Sequence, residues 1–191
     1  MKNLAYISLI SLMFISFTGN AKEVYEEALY QFADNDIKTL VKNKIIQDAV
    51  KQQNIEHTSL SQPEVVLLDK QWRAERSKAD KPLISSKLDS PLSKFLKDMK
   101  NESEGVYTEI FVMDNKGLNV GQSDPTSDYW QGDEAKWKKT YLVGPGAVHV
   151  GKLKKDESTQ IEQVQLSASI VDTQTNKVIG SITVGINLEK I

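Results

Sequence analysis

The densest run of chemically capable side chains is Ser127-Asp128-Tyr129-Trp130-Gln131-Gly132-Asp133-Glu134, which continues through Lys136 to Trp137. Aromatic faces, carboxylates and an amide surround a glycine there, a mixture suited to holding a molecule rather than to breaking a bond. Tyr129, Trp130 and Trp137 can wall a pocket, and an aromatic face also attracts an ammonium group. Asp128 or Asp133 can pair with such a cation, with Gln131 as a hydrogen-bonding amide beside them. The same residues also suit packing, with both tryptophans filling the connection itself and Asp133-Glu134 capping a short helix that runs to Trp137.

The two arginines of the chain, Arg73 and Arg76, sit three apart beside Trp72, and a guanidinium is the better fork for a carboxylate. They serve equally as a solvated helix face paired with Asp69, Glu75 or Asp80. His57 and His149, the only histidines, read as ordinary surface or core residues, and the lysines around Lys136 to Lys139 and Lys152 to Lys155 read as solvated faces. There is no G-x-S-x-G elbow, no phosphate-binding glycine loop, no H-E-x-x-H and no nucleophile with an evident base. Cysteine is absent, which removes disulfides, thiolate zinc sites and iron–sulfur clusters. With 24 basic against 26 acidic residues, the chain also lacks the basic excess of a duplex nucleic-acid binder. A binding domain is expected, with no enzyme activity, no metal and no cofactor.

These candidates need elements to place them. Lys2 precedes an uncharged apolar run ending in Thr18-Gly19-Asn20-Ala21, the pattern of a secretory signal peptide over residues 1–21. Its apolar part is shorter than the roughly 20 residues that span a bilayer. Cleavage after Ala21 removes only Lys2 from the 24 basic residues, so 23 face 26 acids in a remainder of 170, net −3. No cysteine follows the run to carry a lipid, and no later run reaches spanning length. A cysteine-free exported chain of this style suits a periplasm.

From Lys22 to about Gln53, apolar residues recur at helical spacing, with a break expected at Asp34-Asn35-Asp36 and a second helix from Ile37. Pro63 to Arg76 forms the next helix, Lys78 to Pro91 a loop, and Ser90-Pro91 opens a third helix running to about Asn101. The period then changes to two. Val106 to Met113 is a strand, Asp114-Asn115-Lys116-Gly117 a hairpin turn, and Leu118 to Ser123 its partner. A short helix near Glu134 to Lys139 and a strand over Ala147 to Leu153 follow, then a closing hairpin of Gln163 to Val171 and Val178 to Asn187. Val164, Leu166, Ile170, Ile182 and Val184 give that hairpin an apolar face for the amphipathic helix. Its other face carries Gln165, Ser167, Ser169, Ser181 and Thr183, donors and acceptors able to hold a polar ligand if something excludes water above them.

Helices followed by an antiparallel run of about five strands make an α+β domain. The order of a long helix, a helix bearing a tryptophan, a strand ending in Asp114-Asn115-Lys116-Gly117, the Phe111 to Trp137 segment and the closing Ile179 to Asn187 resembles the Cache (PDC) family of extracytoplasmic, PAS-like sensor domains. The likeness spans about residues 22–191 as one domain and is strongest after Val106. It implies a sheet with the long N-terminal helix on one face and ligand-covering loops and short helices on the other. The ligand would be a small polar molecule, an amino acid, amine or carboxylate, bound by Asp128, Tyr129, Trp130, Gln131, Asp133, Trp137, Gln165, Ser167, Ser169 and Thr183. Members of the family usually lie between two membrane helices that lead to an output module. Here the sequence ends four residues after the last strand, so a separate membrane sensor protein is the expected recipient of the signal. The alternative is a ligand-free module that docks on a membrane receptor or kinase.

Overall fold

A computed structural model of the chain describes residues 20–155 and 162–190. The expected signal peptide lies outside the described residues except for Asn20 and Ala21, with which the first helix, α1 (Asn20–Phe32), begins. Among the described residues no helix is long and apolar enough to cross a membrane.

The expected break after α1 takes a different form. Ala33–Ile37 continues α1 as a π-helical turn and leads into the short α2 (Lys38–Leu40), so Asp34-Asn35-Asp36 caps nothing. Leu29, Ala33, Ile37 and Val41 are all buried and lie four residues apart. In a regular α-helix each step of four rotates the side chain by roughly 40° away from a fixed face. The wider π turn absorbs that drift and keeps all four on the core. The next helix, α3 (Lys44–Glu56), starts seven residues later than the pattern suggested, where the Asn43 side chain accepts from the Ile45 amide at 3.0 Å.

Helix α4 (Gln62–Glu75) opens on a capping box in which Ser61 and Glu64 satisfy each other's backbone amides. The segment expected as loop contains α5 (Pro82–Leu88). Pro82 begins it, and the buried Glu75 carboxylate accepts from the Ile84 amide at 3.0 Å, satisfying a donor the helix start leaves unpaired. Helix α6 (Pro91–Glu102) follows, capped by Ser90.

The sheet is antiparallel throughout. Strands β1 (Tyr107–Met113), β2 (Asn119–Gln122), β3 (Val148–Val150), β5 (Glu162–Val171) and β6 (Val178–Asn187) stand in the order β2-β1-β6-β5-β3. The strand expected over residues 147–153 is shorter, β3 alone, and a separate two-residue β4 (Lys154–Lys155) pairs with β5 just beyond that range. One face, with Ile110, Val112, Val164, Leu166, Ile182 and Val184, packs under α1, α3 and α6 through Leu29, Ile46, Val50, Leu92 and Leu96. Pairing register places Gln122, Phe111, Thr183, Ser167 and His149 in one row across the other face. Asn119, Met113, Ser181 and Ser169 form the adjacent row. The connection from β2 to β3, which includes α7 (Ala135–Lys138), covers these rows, with Trp137 packed on Phe111 and Met113.

A buried carboxylate joins the two faces. Asp114, with no exposed surface, follows β1, and its Oδ1 accepts from the amides of Lys116 at 2.8 Å and Leu118 at 2.9 Å. Its Oδ2 accepts from Gln53 Nε2 at 2.9 Å and contacts His57 Nδ1 at 2.8 Å, both from α3 and its end. Its backbone carbonyl accepts from the Trp137 indole at 3.0 Å. Asp114→Ala should therefore cost about 3 kcal/mol or more, since every donor aimed at the carboxylate is left buried. Urea unfolding measures this, and an unchanged midpoint would contradict it.

A second tie on α3 is Lys51, 2.9 Å from Asp172 at the β5–β6 turn. The Gln174 amide, and after it Lys51, hold the Asp172 carboxyl down at about 2. Because the folded value lies below that of an unfolded carboxylate, this contribution is complete above about pH 4 and is lost as pH falls through about 2. Carboxyl-detected NMR should place the Asp172 midpoint at about 2, and a midpoint near 4 would exclude the contact in solution.

Candidate functional site

The ten sequence-predicted site residues fall into three groups. The first is anchored on α4. Asp69 Oδ1 accepts from the amides of Tyr129 at 2.9 Å and Trp130 at 3.0 Å, while its Oδ2 accepts from Arg73 Nε at 2.7 Å. Arg73 Nη1 also reaches Asp128 Oδ1 at 2.9 Å. Asp128 is thus paired with a cation of the chain itself, and Arg73 acts as a strut for the connection. Tyr129 does not wall a pocket. It is 1% exposed, stacks on Trp72 with ring centroids 5.2 Å apart, and burial raises its phenol well above the ordinary value. A fixed aromatic partner on α4 removes it from any ligand surface.

The second group is the closing hairpin. The Ser167 and Thr183 hydroxyls bond to each other at 2.9 Å, and Gln165 Nε2 donates to Glu109 Oε1 at 2.9 Å. Ser169 is buried, and its Oγ has no hydrogen-bond partner. The third group lies under the connection. Gln131 is buried and donates to the Asp128 carbonyl at 2.9 Å, Trp130 donates to the Lys116 carbonyl at 2.9 Å, and Trp137 stacks on Tyr141 at 4.8 Å between centroids. Asp133 is exposed, and its carbonyl accepts from Lys138 Nζ at 2.7 Å.

Three residues absent from the sequence-based set complete this third group. Lys136 was read as part of a solvated face. Instead its ammonium lies 5.3 Å from the centre of the Phe111 ring and donates to Gln131 Oε1 at 3.2 Å, and burial lowers its affinity for the proton. On β2, Gln122 and Asn119, paired with Phe111 and Met113, are fully buried. Asn119 Nδ2 donates to Thr126 Oγ1 at 2.7 Å and to the Asp128 carbonyl at 3.1 Å, but its Oδ1 has no partner. Gln122 Nε2 also has none. Buried polar atoms without partners are rare because each forfeits its hydration without return. Neighbouring strands stand about 4.8 Å apart, so Ser169, three strands from Gln122, lies roughly 14 Å away. One small molecule cannot reach both ends. Gln47 Oε1 and Asn115 Oδ1 are likewise unpartnered, and Gln122 and Asn119 are the pair that share one strand. Strict alternation would put residues three apart on opposite faces; a register shift between Val112 and Met113 brings Gln122 and Asn119 to the same one, and the sequence pattern carries no signal for it.

No family model matches the chain, and no curated protein does. Solved structures that overlap it are sensor domains. The histidine kinase DctB sensor domain of V. cholerae is 14% identical over 88% of this chain and 56% of its own, with a TM-score of 0.38. The sensory domain of the Campylobacter jejuni chemoreceptor Tlp3, solved with isoleucine bound, is 16% identical over 88% of this chain and 62% of its own, at 0.38. The E. coli DcuS sensor domain is 19% identical over 66% of this chain and 92% of its own, at 0.37. The chain spans about three fifths of the length of the first two.

The clamp on α4 predicts an order of effects. Asp69→Ala leaves two amides of the connection unpaired and should cost about 2 kcal/mol or more. Arg73→Ala removes a largely exposed partner and should cost less than about 1 kcal/mol. Denaturant unfolding of both variants checks the order, and a larger loss for Arg73→Ala would refute it.

Proposed function

We propose that the chain is an extracytoplasmic sensing domain, one domain following a cleaved leader, that binds a small carboxylate-bearing metabolite and reports occupancy by contact to a separate membrane protein. The observation that carries this reading is the pair of unpartnered buried atoms, Gln122 Nε2 and Asn119 Oδ1, on the strand next to Phe111, over whose ring the half-buried Lys136 cation lies. Gln122 Nε2 and Lys136 Nζ are donors, matched to a carboxylate. Asn119 Oδ1 is an acceptor, matched to an ammonium or hydroxyl on the same molecule. An amino acid or a hydroxy acid carries both groups. Phe111, beneath Lys136, supplies apolar contact for the carbon skeleton.

Since these atoms are buried, a ligand enters only when the connection over β2 lifts. The Trp130 and Trp137 indoles tie that connection to the backbone of the β1–β2 turn, and Asp114 of the same turn is tied to α3. Movement of the cover is in this way linked to helices on the opposite face of the sheet, where a partner protein can detect it. Recognition and release are all that the arrangement requires, which fits a binding domain rather than a catalyst.

Thermal-shift screening of amino acids, hydroxy acids and dicarboxylates should identify a compound that raises the melting temperature by roughly 5–10 °C at a hundredfold excess over its dissociation constant. Gln122→Leu and Lys136→Met should abolish that shift, and Gln122→Leu should leave the unliganded protein at least as stable, because it replaces a buried amide whose nitrogen has no partner with an apolar group. A panel in which nothing shifts the wild type, or a shift that both variants retain, would overturn the reading.

A further inference from the structure

A cleft of about 380 Å3 opens between the start of α4 and the β1–β2 turn, away from Gln122, Asn119 and Lys136. It lies where two apolar clusters fail to merge. Val65, Trp72, Leu118 and Tyr129 form one cluster under α4, and Phe111, Met113 and Trp137 form the other under the cover. The chain bridges them by backbone alone. Gly117 has φ +80°, and a side chain there would place its first carbon 2.6 Å from the Gly132 amide nitrogen.

The walls of the cleft are held in place. Trp130 and Trp137 both line it, and both indole N–H groups are already engaged, with the carbonyls of Lys116 at 2.9 Å and Asp114 at 3.0 Å. Leu60 and Val65 complete the apolar lining. Asn115 also lines the cleft; its amide is fixed by Asn54 Oδ1 at 2.9 Å, and its side-chain Oδ1 is buried without a hydrogen-bond partner. Two fixed aromatic rings with one open acceptor describe a ligand. We propose that this cleft is a second binding site, for a small uncharged aromatic molecule that carries an N–H or O–H donor. The volume suits one or two rings and lies at the lower end of the range for small-molecule pockets. The rings stack or meet edge to face with the indoles, and the donor satisfies Asn115 Oδ1. Lys116 on the lining opposes a cation, and an acceptor as the open polar atom opposes an anion.

Indole is the probe, with benzofuran as its counterpart lacking the N–H. In 15N-labelled protein the three tryptophans give three indole cross-peaks. Indole should shift those of Trp130 and Trp137 saturably and leave that of Trp72, which does not line the cleft and whose N–H donates to the Thr126 carbonyl, in place. Benzofuran should bind about fivefold more weakly to the wild type, and the two should bind equally to Asn115→Leu. Gln62→Trp, which fills the mouth from an exposed position, should abolish binding of both. The proposal is overturned if indole gives no saturable shift up to its solubility limit, if all three indoles shift together, or if binding survives Gln62→Trp. None of these outcomes depends on the site around Gln122, whose ligand is sought separately by melting temperature.

Discussion

Everything in the described structure hangs on one buried carboxylate. Asp114 has no exposed surface, yet it meets hydrogen-bond donors from the hairpin turn, from α3 and from the residue that ends α3. A charge in that position is tolerated only because its lone pairs are filled by oriented donors. Filling them fixes three things at once: the shape of the β1–β2 turn, the height of α3 above the sheet, and, through the backbone carbonyl, the indole of Trp137 on the opposite face. Lys87 extends the same network, donating to Gln53 Oε1 at 2.6 Å and lying 5.7 Å from the Tyr129 ring centre.

With that turn fixed, the two faces of the sheet have different tasks. The apolar side chains of the helix face form a single core. The cover face is divided between hydroxyls that satisfy one another, as Ser167 and Thr183 do, and atoms that have nothing to bond to, as at Gln122 and Asn119. A protein gains no stability from the second kind. Two of them share one strand, beneath a connection clamped by Asp69 and Arg73, and that strand is where we propose that a ligand binds.

Much of this organisation was legible in the sequence. The change of period at Gly105, the Asp114 to Gly117 turn and the two-faced closing hairpin are local patterns, and they place the strands and the covering connection. Those patterns do not report partners far apart in sequence. Asp114 reads as a turn residue because Gln53 and His57 are some 60 positions away. Tyr129 reads as a pocket wall because the stacking surface of Trp72 lies on another element. Lys136 sits in a run of lysines and reads as solvated, although it shares with Trp137 the side of that short helix that packs on Phe111. Helix α5 was hidden for the same reason, since the carboxylate that satisfies its first turn belongs to α4.

Whether the open atoms of β2 and the half-buried lysine of α7 hold a carboxylate is decided by a crystal structure of the protein with its tightest-binding metabolite. Ligand oxygens are expected within about 2.7–3.2 Å of Gln122 Nε2 and Lys136 Nζ, with a donor of the same molecule on Asn119 Oδ1. Ligand density elsewhere on the sheet, with Gln122 Nε2 still unpartnered, would contradict that expectation.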